Sequence, residues 1–442
     1  MLRVHRSERA DVLADVLAGQ LSTPLADPMV REVVAVPVRG VERWLSQRLA
    51  LRLGADGADD GVAANIDFLS PEQVLQRVVT ATADAPEAAQ AWYSDALIWP
   101  VLSVLDENLG DSRLEVLAAH LAGAAGSGRR AAAASTVAGL FGGYGWQRPA
   151  MLAEWAAGRD TDGAGAQLPE ALAWQPWFWR QVRERIGQPH LAEQLADVVE
   201  RLSADPGAVD LPPRLAFFGP TRVPAALRSV LGALSAERHV SLFVPHPSDA
   251  MWQANAVHAL PVPRARRVRS PYRPRHRLLA ALSRDVRELQ EVLAPLGGRT
   301  LYHPLPDPAG APTLLGTVQE GLRRDEMIVD GGLAADDTLE VPACHGVERQ
   351  VEVLRERLVR LFDEHPDLQP RDVVIMCPDV ETFAPLIQAA FDQSGLDGAG
   401  GAGGPRHPGS GLRVRLADRG LRETNEVLDV LAVVLDMAAD RV

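Results

Sequence analysis

A chain of 442 residues, 47% hydrophobic and 23% charged, has ordinary globular composition and room for roughly two to four domains. Its net charge of −13 argues against a surface coated with nucleic acid but leaves space for a local basic groove. All 45 basic residues are arginine, and the lack of lysine excludes an ordinary phosphate loop, a pyridoxal Schiff base and a nuclease core that pairs its acids with lysine. Cys344 and Cys377 are the only cysteines and form no CxxC pair. The N-terminus carries charge from Arg3 onward and no apolar run approaches membrane-spanning length, so the expected compartment is the cytoplasm.

Leu2 to His5 predicts a strand, followed by the turn Arg6-Ser7-Glu8-Arg9 and a helix carrying Val12, Leu13, Val16 and Leu17. In nucleotide-binding α/β proteins this first turn is a glycine-rich phosphate loop, whereas here it has no glycine and contains an acid, Glu8. From Val33 to Leu75 the pattern is a parallel β-α-β-α rhythm. It comprises a β-branched strand (Val33 to Val38), a turn at Arg39-Gly40, a helix closed by Gly54, and a strand near Ala64 to Phe68 entering a helix at Pro71. Val41, Trp44, Leu45, Leu49 and Leu53 form the expected buried stripe, while Arg39, Arg43 and Gln47 recur every four positions on another face. Function in parallel sheets gathers at the carboxyl ends of strands, which marks Arg39, Arg43 and Asp67. Two guanidiniums beside a strand end suit a phosphate or a base; the same spacing also describes an ordinary solvated face.

From about residue 85 to 204 the pattern turns helical, as in Ser112 to Ala122, Arg130 to Phe141 and Leu191 to Leu202, and seven of the nine tryptophans fall between Trp92 and Trp179. Trp174, Trp177, Phe178 and Trp179 suit base stacking, although such clusters are more often helical core. Gly143 to Pro149 is expected to be a turn between helices that holds Tyr144, Trp146 and Arg148 at the surface. Two glycine motifs are expected decoys. GAAGSGRR (Gly123 to Arg130) follows a helix instead of a strand, and GAGGAG (Gly398 to Gly403) opens no helix.

Strands return at Leu215 to Gly219 and Val240 to Val244, joined by a helix from about Pro224 to Leu234. They end in Gly219-Pro220 and Pro245-His246, with no acidic pair for magnesium. Pro261 to Arg277 holds seven arginines and no acid, and its prolines exclude a continuous helix; it suits a phosphate contact, an acidic partner or a solvated linker. After a Pro/Gly-rich passage, a strand at Thr338 to Pro342 leads through Cys344-His345-Gly346 into a helix with Val347, Val351, Leu354, Leu358 and Leu361 on one face. A strand at Asp372 to Cys377 and further helices follow, the last at Leu428 to Asp440. His345 beside Cys344 is a weak metal hint without further ligands nearby.

MLRVHRSERADVL, GVERWLSQRLA with GVAANIDFLSPEQVL, the turn before Arg148-Pro149, IGQPHLAEQL, and CHGVERQVEVLRERL followed by LQPRDVVIMCPD run collinearly from residue 1 to about 390. Together they resemble the N-terminal part of the RecC family, the gamma subunits of exodeoxyribonuclease V. Family members are more than twice this length, so an N-terminal portion is expected.

The resemblance implies an α/β fold: an inactivated superfamily 1 helicase-like fold, with a parallel-sheet lobe, a helical insertion and the start of a second α/β lobe. The expected divisions are 1–85 and 205–325 for the first lobe, 86–204 for the insertion, and 336–442 for the truncated second lobe. It further implies a non-catalytic subunit of a RecBCD-type helicase-nuclease acting in double-strand break repair. Such a subunit works beside RecB-like and RecD-like partners, contacts single-stranded and duplex-end DNA, and scans the 3′-terminated strand for a Chi signal. ATP and magnesium are then expected only in the partner subunits, with no cofactor in this chain.

The family's Chi-reading positions fall on Pro37, Arg39, Arg43, Ser70, Gln76, Gly139, Gly142, Arg148 and Glu193. Only Arg148 keeps the family's residue, and the two arginines at 39 and 43 point to phosphate grip instead of base discrimination. The DNA-contacting candidates are therefore Arg39, Arg43, Arg148, Gln47 and Gln76. An active helicase or nuclease, and a subunit-interaction scaffold without direct DNA contact, are the alternatives.

Overall fold

The computed structural model describes residues 1–54, 61–82, 91–121, 128–257, 272–305, 313–327, 336–391, 412, 414, 416 and 425–439. The arginine-rich run at 261–271, residues 123–127 of the first glycine motif and the GAGGAG motif lie outside them. The chain divides into two compact units, Met1–Asp336 and Asp337–Val442.

The first unit begins with β1 (Leu2–Ser7), α1 (Ala10–Leu21), β2 (Glu32–Ala35), α2 (Arg39–Ala50), β3 (Ile66–Leu69) and α3 (Pro71–Thr82). Among the described residues the helices α4 (Ser94–Asn108), α5 (Glu115–Leu121), α6 (Arg129–Gln147), α7 (Pro149–Ala156), α8 (Trp174–Ile186) and α9 (Leu191–Ala204) follow. The chain then returns to the sheet with β4 (Arg214–Phe218), α10 (Ala225–Glu237), β5 (His239–Pro245) and α11 (Asp249–Val257). It closes through α12 (Arg277–Leu282), α13 (Arg284–Leu293), β6 (Arg299–Tyr302) and α14 (Leu314–Arg324).

All six strands are parallel, in the order β3-β2-β4-β5-β1-β6. The chain moves one way across the sheet from β1 to β2 to β3, then reverses through β4, β5 and β6. Right-handed crossovers place helices on opposite faces when the direction of travel reverses. Accordingly α1 and α2 cover one face, where Leu13, Leu17, Leu45 and Leu49 meet Val34, Val36, Phe218 and Phe243. The other face carries α3, α9 and α10, whose Val74, Val78, Val198, Leu227 and Val230 meet Val33, Ala35, Leu215, Phe217 and Leu242. Alternate residues of each strand thus enter different cores, which is why these strands read as continuous apolar runs.

A third core belongs to the helices between β3 and β4. Trp155, Phe178 and Trp179 are fully buried there with Leu97, Val101 and Phe141. The cluster at Trp174 to Trp179 is therefore mainly packing, and the expected turn at Gly143 to Gln147 is instead the last turn of α6. Trp44, assigned to the buried stripe of α2, remains 39% exposed, while Leu45 and Leu49 carry the burial. The short edge strand β6 has no sequence expectation behind it.

In the second unit α15 (Gly346–Glu364) packs on α16 (Val380–Phe391) through Val351, Leu358, Ile387 and Phe391, and α17 (Glu426–Ala439) follows. The strands expected at Thr338 to Pro342 and Asp372 to Cys377 do not form: neither segment has a paired neighbour among the described residues. Val373 and Ile375 still turn toward the helices while Val374 and Met376 stay exposed, so the period of two survives without a ladder. Among the described residues no helix is long and apolar enough to cross a membrane.

Gly298 enters β6 at φ +103°, and a Cβ there would lie 2.8 Å from the carbonyl oxygen of Leu2. Exposed Gly19 in α1 has open space around the same added atom. Gly298→Ala is therefore expected to lower the thermal midpoint, whereas Gly19→Ala adds about 0.5–1 kcal/mol of stability. Calorimetry on both variants checks this, and a Gly298→Ala protein as stable as the parent would disprove the close approach.

Candidate nucleic-acid interface

Ligand crevices in doubly wound sheets open beyond the carboxyl ends of neighbouring strands whose connections leave to opposite faces. Two such places lie between β1 and β5 and between β2 and β4.

The first is filled by the protein itself. Arg6, at the end of β1, is 2% exposed; its Nη2 donates to Asp249 Oδ1 at 2.8 Å, and its guanidinium lies 4.4 Å above the Trp252 ring and 5.4 Å from Tyr302. The Tyr302 hydroxyl donates to Glu8 at 2.6 Å, and burial followed by this bond raises the phenol's pKa. His246, 3% exposed, packs edge-on against Trp252, and burial followed by the nearby Arg6 charge pushes its pKa down to about 3. On the neighbouring strand position His5 stacks on Phe243, and burial followed by His303 lowers it to about 4. Of the expected first turn, Arg6 to Arg9, the structure gives Arg6 and Ser7 to β1, and the segment borders an ion pair and aromatic rings instead of an open cradle.

At the second crevice Val38, extended at φ −148°, starts α2 without a side-chain cap. Arg39, Arg43 and Gln47 all lie exposed along one side of this helix. The arginines along α2 and just beyond it are divided. Arg48 and Arg52 both make forked contacts to Asp15 of α1 at 2.9–3.1 Å, whereas among the described residues Arg39 and Arg43 have no ion-pair partner. Exposed Trp44, 6.0 Å from Phe218, adds an aromatic surface beside Arg43. Asp67, marked at the neighbouring strand, is taken up by Arg77 at 2.7 Å.

A separate cleft of about 80 Å³ opens on the other face, between α3 and the helical insertion. Gln76 and Thr80 line it from α3, Gly142, Gly145 and Trp146 from α6, with Trp92, Tyr93 and His190 alongside. Exposed Arg148 stands at the junction of α6 and α7, two residues beyond Trp146, with no partner among the described residues. The structure therefore brings Gln76 and Gly142 together and leaves Arg39, Arg43 and Gln47 as a stripe across the sheet from them.

Two family positions serve as helix caps here. Ser70 Oγ accepts from the Gln73 backbone N–H at 3.1 Å and Gln73 Oε1 accepts from the Ser70 backbone N–H at 2.7 Å, which starts α3. Glu193 accepts from the His190 backbone N–H at 2.8 Å and is gripped by Arg183 at 2.6 and 2.9 Å. Burial opposes the charge on Glu193, but Arg183 and the backbone donor outweigh it and lower its pKa. Sequence reasoning passed over His190, although His-x-x-Glu before an apolar helix has the form of a capping box.

The fold class is now defined: an α/β protein built on a doubly wound, six-stranded parallel sheet with a helical insertion between β3 and β4. The sequence pattern of the RecC N-terminal domain matches residues 2–325, and the chain belongs to the RecC family. It is 41% identical over 458 residues to the RecBCD enzyme subunit RecC of Mycobacterium tuberculosis (strain CDC 1551 / Oshkosh) and 41% identical over 466 to that of Mycolicibacterium smegmatis (strain ATCC 700084 / mc(2)155). The match to the Escherichia coli (strain K12) subunit is 26% over 489 residues. Each comparison covers 100% of this chain and 40%, 39% and 41% of the relative, so the chain spans about two-fifths of their length.

Two outcomes test the filled crevice. Asp249→Ala strands a buried guanidinium and is expected to cost about 2–3 kcal/mol, below the full-burial range because Asp249 is 33% exposed; Arg6→Met combined with Asp249→Ala recovers most of the loss. Equal stability of the single and double variants by denaturant titration would contradict the pairing. His5 and His246 are neutral when folded and titrate near 6.5 when unfolded, so stability is full above pH 6.5 and falls as pH drops toward 4. His5→Gln is expected to flatten that acid limb in pH-dependent melting.

Proposed function

We propose that this chain is a non-catalytic subunit of a RecBCD-type helicase-nuclease in the cytoplasm, working with RecB-like and RecD-like partners in repair of double-strand breaks. It binds the unwound 3′-terminated single strand, scans it for a Chi-like signal and holds the motor subunits at the duplex end. The observation that carries the DNA contact is the division of arginines along α2 and just beyond it: Arg48 and Arg52 are neutralised by Asp15, while Arg39 and Arg43 present forks without an ion-pair partner among the described residues at a switch point of the sheet. Guanidinium forks match phosphate oxygens in pairs and stay charged at any working pH.

Gln47 on the same stripe, with Gln76 in the cleft and Arg148 at the junction of α6 and α7, supplies polar contacts along the path. The Arg6–Asp249 pair in the β1/β5 crevice supports the absence of nucleotide chemistry from this chain, leaving ATP and magnesium to the partners. Family membership supports the subunit role.

Arg39→Ala with Arg43→Ala is expected to weaken binding of a 3′-tailed duplex and to flatten the logarithmic salt slope by about 1.4, from about 0.7 per phosphate contact. Fluorescence anisotropy across a salt series, paired with site-resolved crosslinking at residues 39, 43 and 148, measures it. An unchanged slope and no crosslink, with partner binding intact, would favour a scaffold that never touches the strand.

A further inference from the structure

The cleft between α3 and the insertion contains one polar side chain whose hydrogen-bonding state the fold fixes completely. His190 is the N-cap of α9, and its Nδ1 accepts the backbone N–H of Ala192 at 2.9 Å. A backbone N–H only donates, so Nδ1 carries the lone pair and the single ring proton of the neutral imidazole sits on Nε2. Burial pushes the ring's pKa down to about 4, which keeps it neutral under ordinary conditions. The ring cannot turn away: Glu193 holds the His190 backbone, Arg183 holds Glu193, and Trp92 meets the imidazole edge-on with ring centroids 4.7 Å apart.

His190 is 4% exposed and lines the cleft, and its Nε2 has no partner among the described residues. Gly145 makes the room for this edge of the ring, since a Cβ there would lie 2.5 Å from Cε1 and 2.7 Å from Nε2. Trp92, Tyr93 and Trp146 supply aromatic surface around it. The cleft's volume of about 80 Å³ is smaller than the ~150 Å³ of a cavity that encloses benzene, so it has room for one edge of a base and not for the whole ring.

We propose that this cleft receives one edge of an unstacked nucleobase of the bound strand and that His190 Nε2–H donates to a ring carbonyl of that base. Guanine, thymine and cytosine present an exocyclic oxygen that projects beyond the ring, whereas adenine presents only the ring nitrogens N1, N3 and N7 set back within its edge, so a donor held at one fixed position favours the oxo bases over adenine. The inference rests on the strand-binding reading above and adds to it a base-reading residue outside the positions inherited from the family.

The test compares 3′ tails of dT and dA on the full chain and on His190→Asn, which keeps an N-cap acceptor for Ala192 but removes the Nε2 donor. The parent protein is expected to favour dT, and the dT-to-dA affinity ratio should fall about two- to tenfold in His190→Asn, the range of one hydrogen bond. Comparing ratios cancels the different stacking and stiffness of the two tails. A third tail, carrying a thymine isostere with both carbonyls replaced by C–F, reads the same contact on the unaltered protein and should bind about two- to tenfold more weakly than dT.

Equal ratios in parent and variant, or equal affinity for dT and its isostere, overturn the His190 contact while normal salt-dependent binding leaves the strand path standing. Loss of all tail binding by the parent protein overturns both.

Discussion

A parallel sheet hides both of its faces, and that single requirement arranges the rest of the first unit. Each strand must feed apolar side chains to two cores, so helices have to leave in both directions and the chain has to reverse its travel across the sheet. The reversal after β3 puts α1 and α2 on one face and α3, α9 and α10 on the other. Reversal also creates two places where neighbouring strands send their connections apart. Backbone groups and side chains converge there without a helix covering them, so the sites of possible chemistry follow from the demand for burial.

The chain treats these two places oppositely. Between β1 and β5 it inserts Arg6, pairs its Nη2 with a carboxylate and lays the guanidinium against two aromatic rings, leaving Nε and Nη1 buried without hydrogen-bond partners, which turns a crevice into part of the core. A buried charge tolerates this only because partners replace the water it has lost. Between β2 and β4 it leaves Arg39 and Arg43 in solvent, where charge costs little to maintain and remains available to a ligand. In a protein with a net charge of −13, about half of the first unit's arginines among the described residues are balanced by a nearby acid, as Arg48, Arg77, Arg183 and Arg214 are. Against that background an unbalanced pair on one helix turn carries information that composition does not.

The helical insertion solves a different problem, that of setting side chains across a joint. Its last helix, α9, starts at a capping box and packs its buried face into the sheet's core through Leu195, Val198 and Leu202. The cap that terminates the backbone's unmet N–H groups is the same imidazole that faces the cleft, so local helix chemistry and site geometry share one residue. Replacing Gly145 with any larger residue would bring α6 into collision with that ring, which ties the composition of α6 to the orientation of His190.

The strands β1, β2, β4 and β5, the helices around them and the exposed spacing of Arg39, Arg43 and Gln47 were legible in the sequence, because periodicity records burial residue by residue. The collinear RecC motifs were legible for the same reason: they are long. Other features were decided only by the tertiary structure. Gly143 to Gln147 stays helical against the poor propensity of its glycines, because Tyr144 packs on the insertion's core and Trp146 on the sheet's core. Thr338 to Pro342 and Asp372 to Cys377 have the pattern of strands but lack a ladder among the described residues, and a strand exists only through its neighbour's hydrogen bonds. Trp44 reads as core and is half in solvent, because the width of the apolar stripe depends on how closely the sheet approaches. Which arginines are paired and which tautomer His190 holds depend on partners distant in sequence or on the geometry of a cap, and a one-dimensional pattern contains neither.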